Sequence, residues 1–367
     1  MSGSSRCNVL VEILSQQPVA LFIRGLILLG VYLLCSTRVS SAQVTITFPE
    51  PHNIVVLSVP DKPAALQIDL LRLKVQSNDL RQDLAGRRLQ AGDSQGWVFS
   101  SFLYPVDRTL DSKGLRGEEW AALRKGALEN GYTTEQVKIY ERGSIPMLEY
   151  MIEDFRGQKI HQKNVFGYIV SGDMAMDFHI SKFAYTPEDQ NFFDSLVNAI
   201  KLVENYEPDS ELEYSYGSVF YLQKNWPRAA RHYEKALERE KTKRSLSPTH
   251  WKVLLDNLGM AYDLSGDLQK AKSVFEYGVH EDATYPMFRY NLACVYAETN
   301  DLDKALDQLK MAFQYRNNSI PGEEGMPDPA KDDSFKRYLG DPRFRSLAQE
   351  LCPTSTRSVR GWVCKWQ

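Results

Sequence analysis

The feature that most restricts the fold of this chain is a self-match at a spacing of 34 residues in its second half. Leu258, Gly259 and Tyr262 realign on Leu292, Ala293 and Tyr296. Ala271 falls on Ala305, Phe275 on Leu309, and the pair Asp267 and Leu268 on Asp301 and Leu302. A third copy lies upstream, where Gly217, Phe220, Ala229, Tyr233 and Ala236 fill the same columns. It sits 42 residues before the second copy and so carries an insertion of 8, placed within 238–249, which extends a helix end or the loop between repeats. A fixed period of this length makes each copy one supersecondary unit, whose apolar face is buried only by stacking on its neighbours.

With column one at Ser210, Lys252 and Pro286, small residues fall at columns eight, twenty and twenty-seven. This helix–turn–helix pattern resembles the tetratricopeptide repeat (TPR) family. Small side chains at columns eight and twenty let the two helices of a repeat approach, and aromatics at columns eleven and twenty-four fill the space between them. Column four holds Leu255 and Arg289 where the family usually has Trp, and Gly278 replaces Ala at column twenty-seven. Those departures weaken single contacts and leave the period intact.

The resemblance implies a protein-binding array whose A helices line a concave surface with columns two, five, six, nine, twelve and thirteen. Column five supplies Tyr214, Asp256 and Tyr290. Column six supplies Asn257 and Asn291, and column twelve supplies Tyr221 and Asp263. An amide at column six offers both donor and acceptor to a peptide backbone or terminal carboxylate. No Lys or Arg occupies columns two, five, six or nine. The expected partner is therefore a protein or peptide presenting an extended, neutral or basic segment.

The repeats span 207–316. Residues 317–351 read as a loop rich in Gly and Pro, followed by a capping helix over 332–351 that offers Phe335, Tyr338, Leu339, Phe344, Leu347 and Leu351. This stretch resembles the degenerate closing segment of such arrays. The tail, 352–367, reads as a loop between Cys352 and Cys364, which are spaced for a disulfide if the chain is exported.

Residues 43–205 carry the texture of a sheet. Period-two runs occur at 44–48, 54–59, 66–75, 97–104, 137–140, 146–153, 164–170 and 174–183. Helices are expected over 118–130, with Trp120, Leu123 and Leu128 on one side, and over 187–203, started by Thr186 and Pro187. Many strands with two helices predict an antiparallel α+β sandwich. The stretches GWVFSSFLYP (96–105), IPMLEYMIEDF (145–155) and HISKFAYTPEDQNFFDSLVNAIKLV (179–203) resemble the PsbP-like α/β sandwich domains. That resemblance implies a non-catalytic accessory domain and transfers no individual residue. The fold class is thus α+β: a sandwich followed by an all-α helical solenoid.

Before both domains, 1–42 has the layout of a secretory signal peptide. Arg24 precedes an apolar run over 25–35, and the small residues Ser40 and Ala42 mark a cut before Gln43. The run is short of the roughly 20 residues that a spanning helix needs. Export to a periplasmic or secreted location is expected, with a membrane anchor as the alternative if the segment is not cleaved.

Chemistry is sparsely signalled. A net charge of −3 offers no field for nucleic acid. The six histidines and five cysteines form no ligand-spaced cluster, so neither a metal nor a cofactor is expected. Asp177, His179 and Ser181 share a strand face but sit about 7 Å apart per step, too far to converge as a triad. They read as a polar stripe facing solvent, as do Glu149 and Glu153. The leading function is non-catalytic protein–protein recognition or scaffolding. The alternatives are an envelope hydrolase or other enzyme, with catalysis in the first domain and recruitment by the repeats, and a structural protein of the cell envelope.

Overall fold

A computed structural model of the chain describes residues 53–81, 85–107, 109–321, 325–358 and 361–365. They form two compact units, 53–207 and 208–365. The expected leader at 1–42 and the strand expected at 44–48 lie outside the described residues. No described helix is long and apolar enough to cross a membrane.

The first unit contains strands β1 (Ile54–Leu57), β2 (Ala65–Asp69), β3 (Lys74–Leu80), β4 (Arg87–Gly92) and β5 (Trp97–Pro105). Helix α1 (Ser112–Asn130) follows, then β6 (Glu135–Arg142), β7 (Ile145–Phe155), β8 (Gln158–Ser171) and β9 (Met174–Lys182). Helix α2 (Gln190–Asn198) and β10 (Ile200–Val203) close the unit. Seven strands make one antiparallel sheet in the order β3-β4-β5-β9-β8-β7-β6, and β1-β2-β10 make a second.

Strand alternation sorts the side chains into two cores. Met174, Met176, Phe178 and Ile180 of β9 join Trp97 and Phe99 against Leu66 and Ile68 of the small sheet and Phe193 and Leu196 of α2. On the other face, Leu148, Tyr150, Ile152, Phe166 and Tyr168 receive Leu115 and Ala127 of α1. The result is the α+β sandwich expected from the alternating pattern.

Local details depart from the sequence reading, each for a physical reason. Helix α1 starts earlier than 118, because the Asp111 carboxylate accepts the Gly114 N–H at 2.6 Å and caps the first turn. Ala127 comes two turns after Trp120 and faces inward. Leu128 lies about 80° around the helix from Trp120 and is 80% exposed. The run at 66–75 is broken where Asp69 accepts the Leu71 N–H at 2.9 Å and Leu71 takes a φ of 53°. The helix expected over 187–203 becomes a 3-10 turn at Pro187–Asp189, α2, and then β10. Ile200 and Leu202 pair opposite Ile68 and Leu66, so a half-buried pleat wins over a continued helix.

Strand β6 is an edge of the large sheet. Its register against β7 slips between Glu135 and Lys138, Gln136 takes a φ of 50°, and Val137 and Ile139 are exposed.

The second unit begins with three helix pairs. These are α3 (Ser210–Leu222) with α4 (Trp226–Thr242), α5 (Pro248–Leu264) with α6 (Leu268–Glu281), and α7 (Pro286–Glu298) with α8 (Leu302–Gln314). Each B helix is capped at column sixteen, where Asn225, Asp267 and Asp301 accept the N–H groups of Arg228, Lys270 and Lys304. The insertion both lengthens α4 and forms the loop before α5. There the buried Glu240 carboxylate accepts the Ser245 and Leu246 N–H groups.

Column packing follows the sequence logic. A Cβ on Gly217 would lie 2.5 Å from the Tyr233 ring, and one on Gly259 would lie 2.4 Å from the Phe275 ring. Where column eight carries a methyl group, as Ala293, column twenty-four is the smaller Leu309. Ala271, Ala305, Phe275 and Leu309 are all fully buried.

The closing segment is not one helix. A 3-10 turn at Pro329–Lys331 and another at Asp333–Tyr338 precede α9 (Pro342–Leu351), which is started by Asp341 and Pro342. Phe335, Phe344 and Leu347 are buried as the expected cap, whereas Leu339 is exposed. Within the tail, β11 (Thr354–Ser358) pairs antiparallel with β12 (Gly361–Lys365) as a hairpin. A disulfide joins Cys352 to Cys364. The sequence reading of a loop missed the β-forming residues Thr354, Thr356 and Val363.

Candidate functional site

The A helices α3, α5 and α7 carry the seven groove candidates, and the structure separates them by environment. Tyr214 is part-buried and stacks on His250, with ring centroids 4.9 Å apart. Burial raises its hydroxyl above the ordinary tyrosine range. Tyr221 is buried edge-on against Trp226, centroids 5.1 Å apart.

The two column-six amides do different jobs. Asn257 is part-exposed and donates through Nδ2 to the Tyr233 hydroxyl at 3.2 Å. That hydroxyl donates in turn to Ser218 Oγ at 3.2 Å. Asn291 is buried and donates through Nδ2 to Asp256 Oδ1 at 2.7 Å. It clasps the second repeat to the third, and a hydrogen bond to a carboxylate is among the stronger kinds.

The candidate positions of the third repeat are covered by the chain itself. The Tyr290 hydroxyl donates to Asp332 Oδ2 at 3.1 Å, and the Cys294 thiol lies 3.9 Å from the same oxygen. Ser334 Oγ donates to Glu298 Oε1 at 2.9 Å. The Tyr338 hydroxyl donates to the Ala297 carbonyl at 3.3 Å. Phe335 meets Tyr290 edge-on. These contacts fall on columns five, nine, twelve and thirteen; Tyr290 beneath them is 1% exposed, and the neighbouring Asn291 is 4% exposed. A small cleft of about 10 Å³ remains among Met260, Asp263, Tyr290, Asn291, Cys294, Asp332 and Ser334. It is of the order of one water molecule in size. Asp263 is buried at its edge.

Sequence reasoning missed the contacts of Asp332, Ser334 and Phe335 with α7 because it assigned these residues to a helix. The signal was present in Asp332, Asp333 and Ser334, which favour turns and caps over helix interior. It also missed the buried pair in the first repeat, where His232 Nδ1 lies 2.6 Å from Glu213 Oε2.

In the first unit, His179 and Ser181 are buried and do not form the solvent-facing stripe expected. Asp177, His179 and Ser181 do share the face that carries α1. His179 Nε2 sits 3.0 Å from Asn164 Oδ1, and its ring stacks on Phe166 at 4.1 Å. Burial pushes its pKa down to about 3, so the imidazole is neutral. Glu149 takes ion pairs from Lys138 at 3.1 Å and Lys163 at 3.0 Å, and Glu153 lies 2.5 Å from His161. The described residues contain no metal-holding group of His, Cys, Asp and Glu.

No known family model matches the chain, and no curated protein matches its sequence. Among solved structures it is similar to the TPR domain of Sgt2 from Aspergillus fumigatus, at 20% identity over 38% of this chain and 80% of that one, with a TM-score of 0.28. PcrH from Pseudomonas aeruginosa matches at 17% identity over 38% and 90%, with a TM-score of 0.28. The type III secretion chaperone SycD from Yersinia enterocolitica, solved with a peptide of the translocator YopD, matches at 17% over 38% and 90%, with a TM-score of 0.27. By its own helix pairing and column packing, the second unit is a tetratricopeptide-like helical array.

Proposed function

We propose that this chain is a non-catalytic, exported recognition protein that holds an extended segment of a protein partner along the concave face of its three repeats. The observation that carries the reading is the state of the first two repeats. There Tyr214 and Asn257 remain part-exposed on the concave columns, and the Asn257 amide oxygen has no hydrogen-bond partner among the described residues. An amide with its acceptor side open is suited to a peptide N–H. The concave columns carry Asp256 and Glu211 and no Lys or Arg at columns two, five, six or nine, which favours a neutral or basic segment. The first unit serves as an accessory domain of the PsbP-like kind that its strand phrasing resembles.

The test captures partners from the native envelope on the purified chain and on Asn257→Ala combined with Tyr214→Ala. Loss of at least about tenfold in affinity is expected, with unchanged helicity, since one hydrogen bond plus an aromatic contact is worth about 1.4 kcal/mol or more. Unchanged capture by the folded variant would move the site elsewhere. N-terminal sequencing of the native protein checks export: a start near Gln43 is expected, and a start at Met1 with membrane retention identifies an anchor.

A further inference from the structure

Residues 326–338 hold a position that the groove reading leaves unexplained. The contacts of Asp332, Ser334, Phe335 and Tyr338 fall on Tyr290, Cys294, Ala297 and Glu298, which are the columns a ligand would use. The first two repeats carry no such internal cover over Tyr214 and Asn257 among the described residues.

The stretch that leads into this cover is tied to the hairpin. The Cys364 N–H donates to the Met326 carbonyl at 2.9 Å, and the Asp328 N–H donates to the Trp362 carbonyl at 2.9 Å. Pro327 bridges Val363 in antiparallel fashion, so 326–328 lie beside β12 through a single isolated bridge. Lys331 lies over the Trp362 ring, 5.7 Å from its centroid. The hairpin in turn has only five residues per strand. A two-stranded hairpin of that size is marginal in water, and the Cys352–Cys364 bond closes its open end.

We propose that residues 332–338 are an autoinhibitory occupant of the third-repeat end of the groove, latched by the Cys352–Cys364 hairpin and released when that disulfide is reduced. The proposal rests on the groove reading for its purpose but not for its mechanics. The reductant is a dithiol. One of its thiolates attacks a cysteine sulfur and forms a mixed disulfide, and its second thiol displaces that sulfur. Cys352 and Cys364 leave as thiols with two electrons and two protons, and the reductant leaves as a disulfide. Without the cross-link the hairpin frays, the segment at 326–328 loses its bridge to β12, and the turns that follow lift from α7. Tyr290 and Cys294 then face solvent, and the groove extends over all three repeats.

Cys294 reports the event directly, because it is a buried thiol outside the disulfide, beneath Asp332. The experiment alkylates the full chain under native conditions and follows the Cys294 peptide by mass spectrometry. It compares the oxidised chain, the dithiothreitol-reduced and desalted chain, Cys352→Ser with Cys364→Ser, and oxidised Phe335→Ala. Circular dichroism confirms that the helices persist in each. Labelling of Cys294 is expected to rise about tenfold or more on reduction and in the double variant, as local opening becomes accessible. Phe335→Ala, which loosens the cover with the disulfide intact, should raise it too. If Cys294 stays as slow in the reduced chain as in the oxidised one, the turns are a permanent cap and the latch is refuted. If the double variant does not fold, the reduced wild-type chain and Phe335→Ala decide the matter. No partner is present in this assay, so its failure leaves the groove reading standing, and failure of the capture assay leaves the latch standing.

Discussion

The pairing of column eight with column twenty-four gives the sharpest quantitative test of the repeat architecture. Replacing Gly259 by Ala inserts a methyl group 2.4 Å, 2.5 Å and 2.8 Å from three Phe275 ring atoms. The ring must retreat by about 1 Å to restore ordinary van der Waals contact, and Phe275 is fully buried. Overpacking of this kind costs about 1–3 kcal/mol, and three close contacts place it at the upper end. Helix propensity works the other way, since Ala in a helix interior is better than Gly by about 1 kcal/mol. The net expectation is destabilisation of about 2 kcal/mol, or a fall in Tm of about 4–8 °C for a unit of this size.

The third repeat supplies the rescue, because Ala293 already coexists there with Leu309. Gly259→Ala combined with Phe275→Leu should recover to within about 1 kcal/mol of the parent, a coupling of about 2 kcal/mol in a double-mutant cycle. Urea titration followed by circular dichroism measures all four corners. A single Gly259→Ala variant more stable than the parent would show that propensity alone decides the position, and the packing argument would be wrong.

Asn291→Ala should lower stability by about 1.5–3 kcal/mol, because it removes a buried hydrogen bond to the Asp256 carboxylate, whereas Asn257→Ala should leave the melting curve nearly unchanged and act on binding. Asp282 gives a pH signature. Burial raises its pKa, but hydrogen bonds from Lys252 and Thr284 outweigh that and hold it down to about 2. Its folded pKa lies below the unfolded one, so its contribution is present above about pH 4 and is lost as pH falls towards about 2. Asp282→Asn should flatten that part of a stability-versus-pH curve. Leu128→Lys should change stability by less than about 0.5 kcal/mol, since the side chain already stands in water.

The repeat half was legible because its packing is written in fixed columns. A small residue facing an aromatic at constant spacing has few structural meanings, and Gly217, Gly259, Tyr233 and Phe275 carried it. In the first half, alternation along β9 revealed the strand and its apolar face of Met174, Met176, Phe178 and Ile180, but not that the opposite face, with His179 and Ser181, is buried as well. The boundaries were less legible, because Asp69 and Asp111 set a turn and a cap through single side-chain hydrogen bonds, and Asp189 a turn through two from Thr186, that periodicity does not register. The groove residues were harder still. Column position singled out Tyr290, but its contacts with Asp332 and Phe335, some forty residues away and outside the repeat, are not written in the columns. Likewise, nothing local to His179 says that Asn164 and Phe166, from the neighbouring strand, will enclose it.

The slip in β6 has a consequence for association between molecules. An edge strand with Val137 and Ile139 facing water would be a template for another chain to add a strand, provided its free N–H and C=O groups ran in a straight row. The extra residue at Gln136 bends that row out of line, and Lys138 places a charge beside it. Deleting Gln136 would straighten the edge while leaving both apolar side chains in place. The sheet would then offer a long, sticky border, and the shortened chain would grow into ordered polymers at concentrations where the parent remains dispersed.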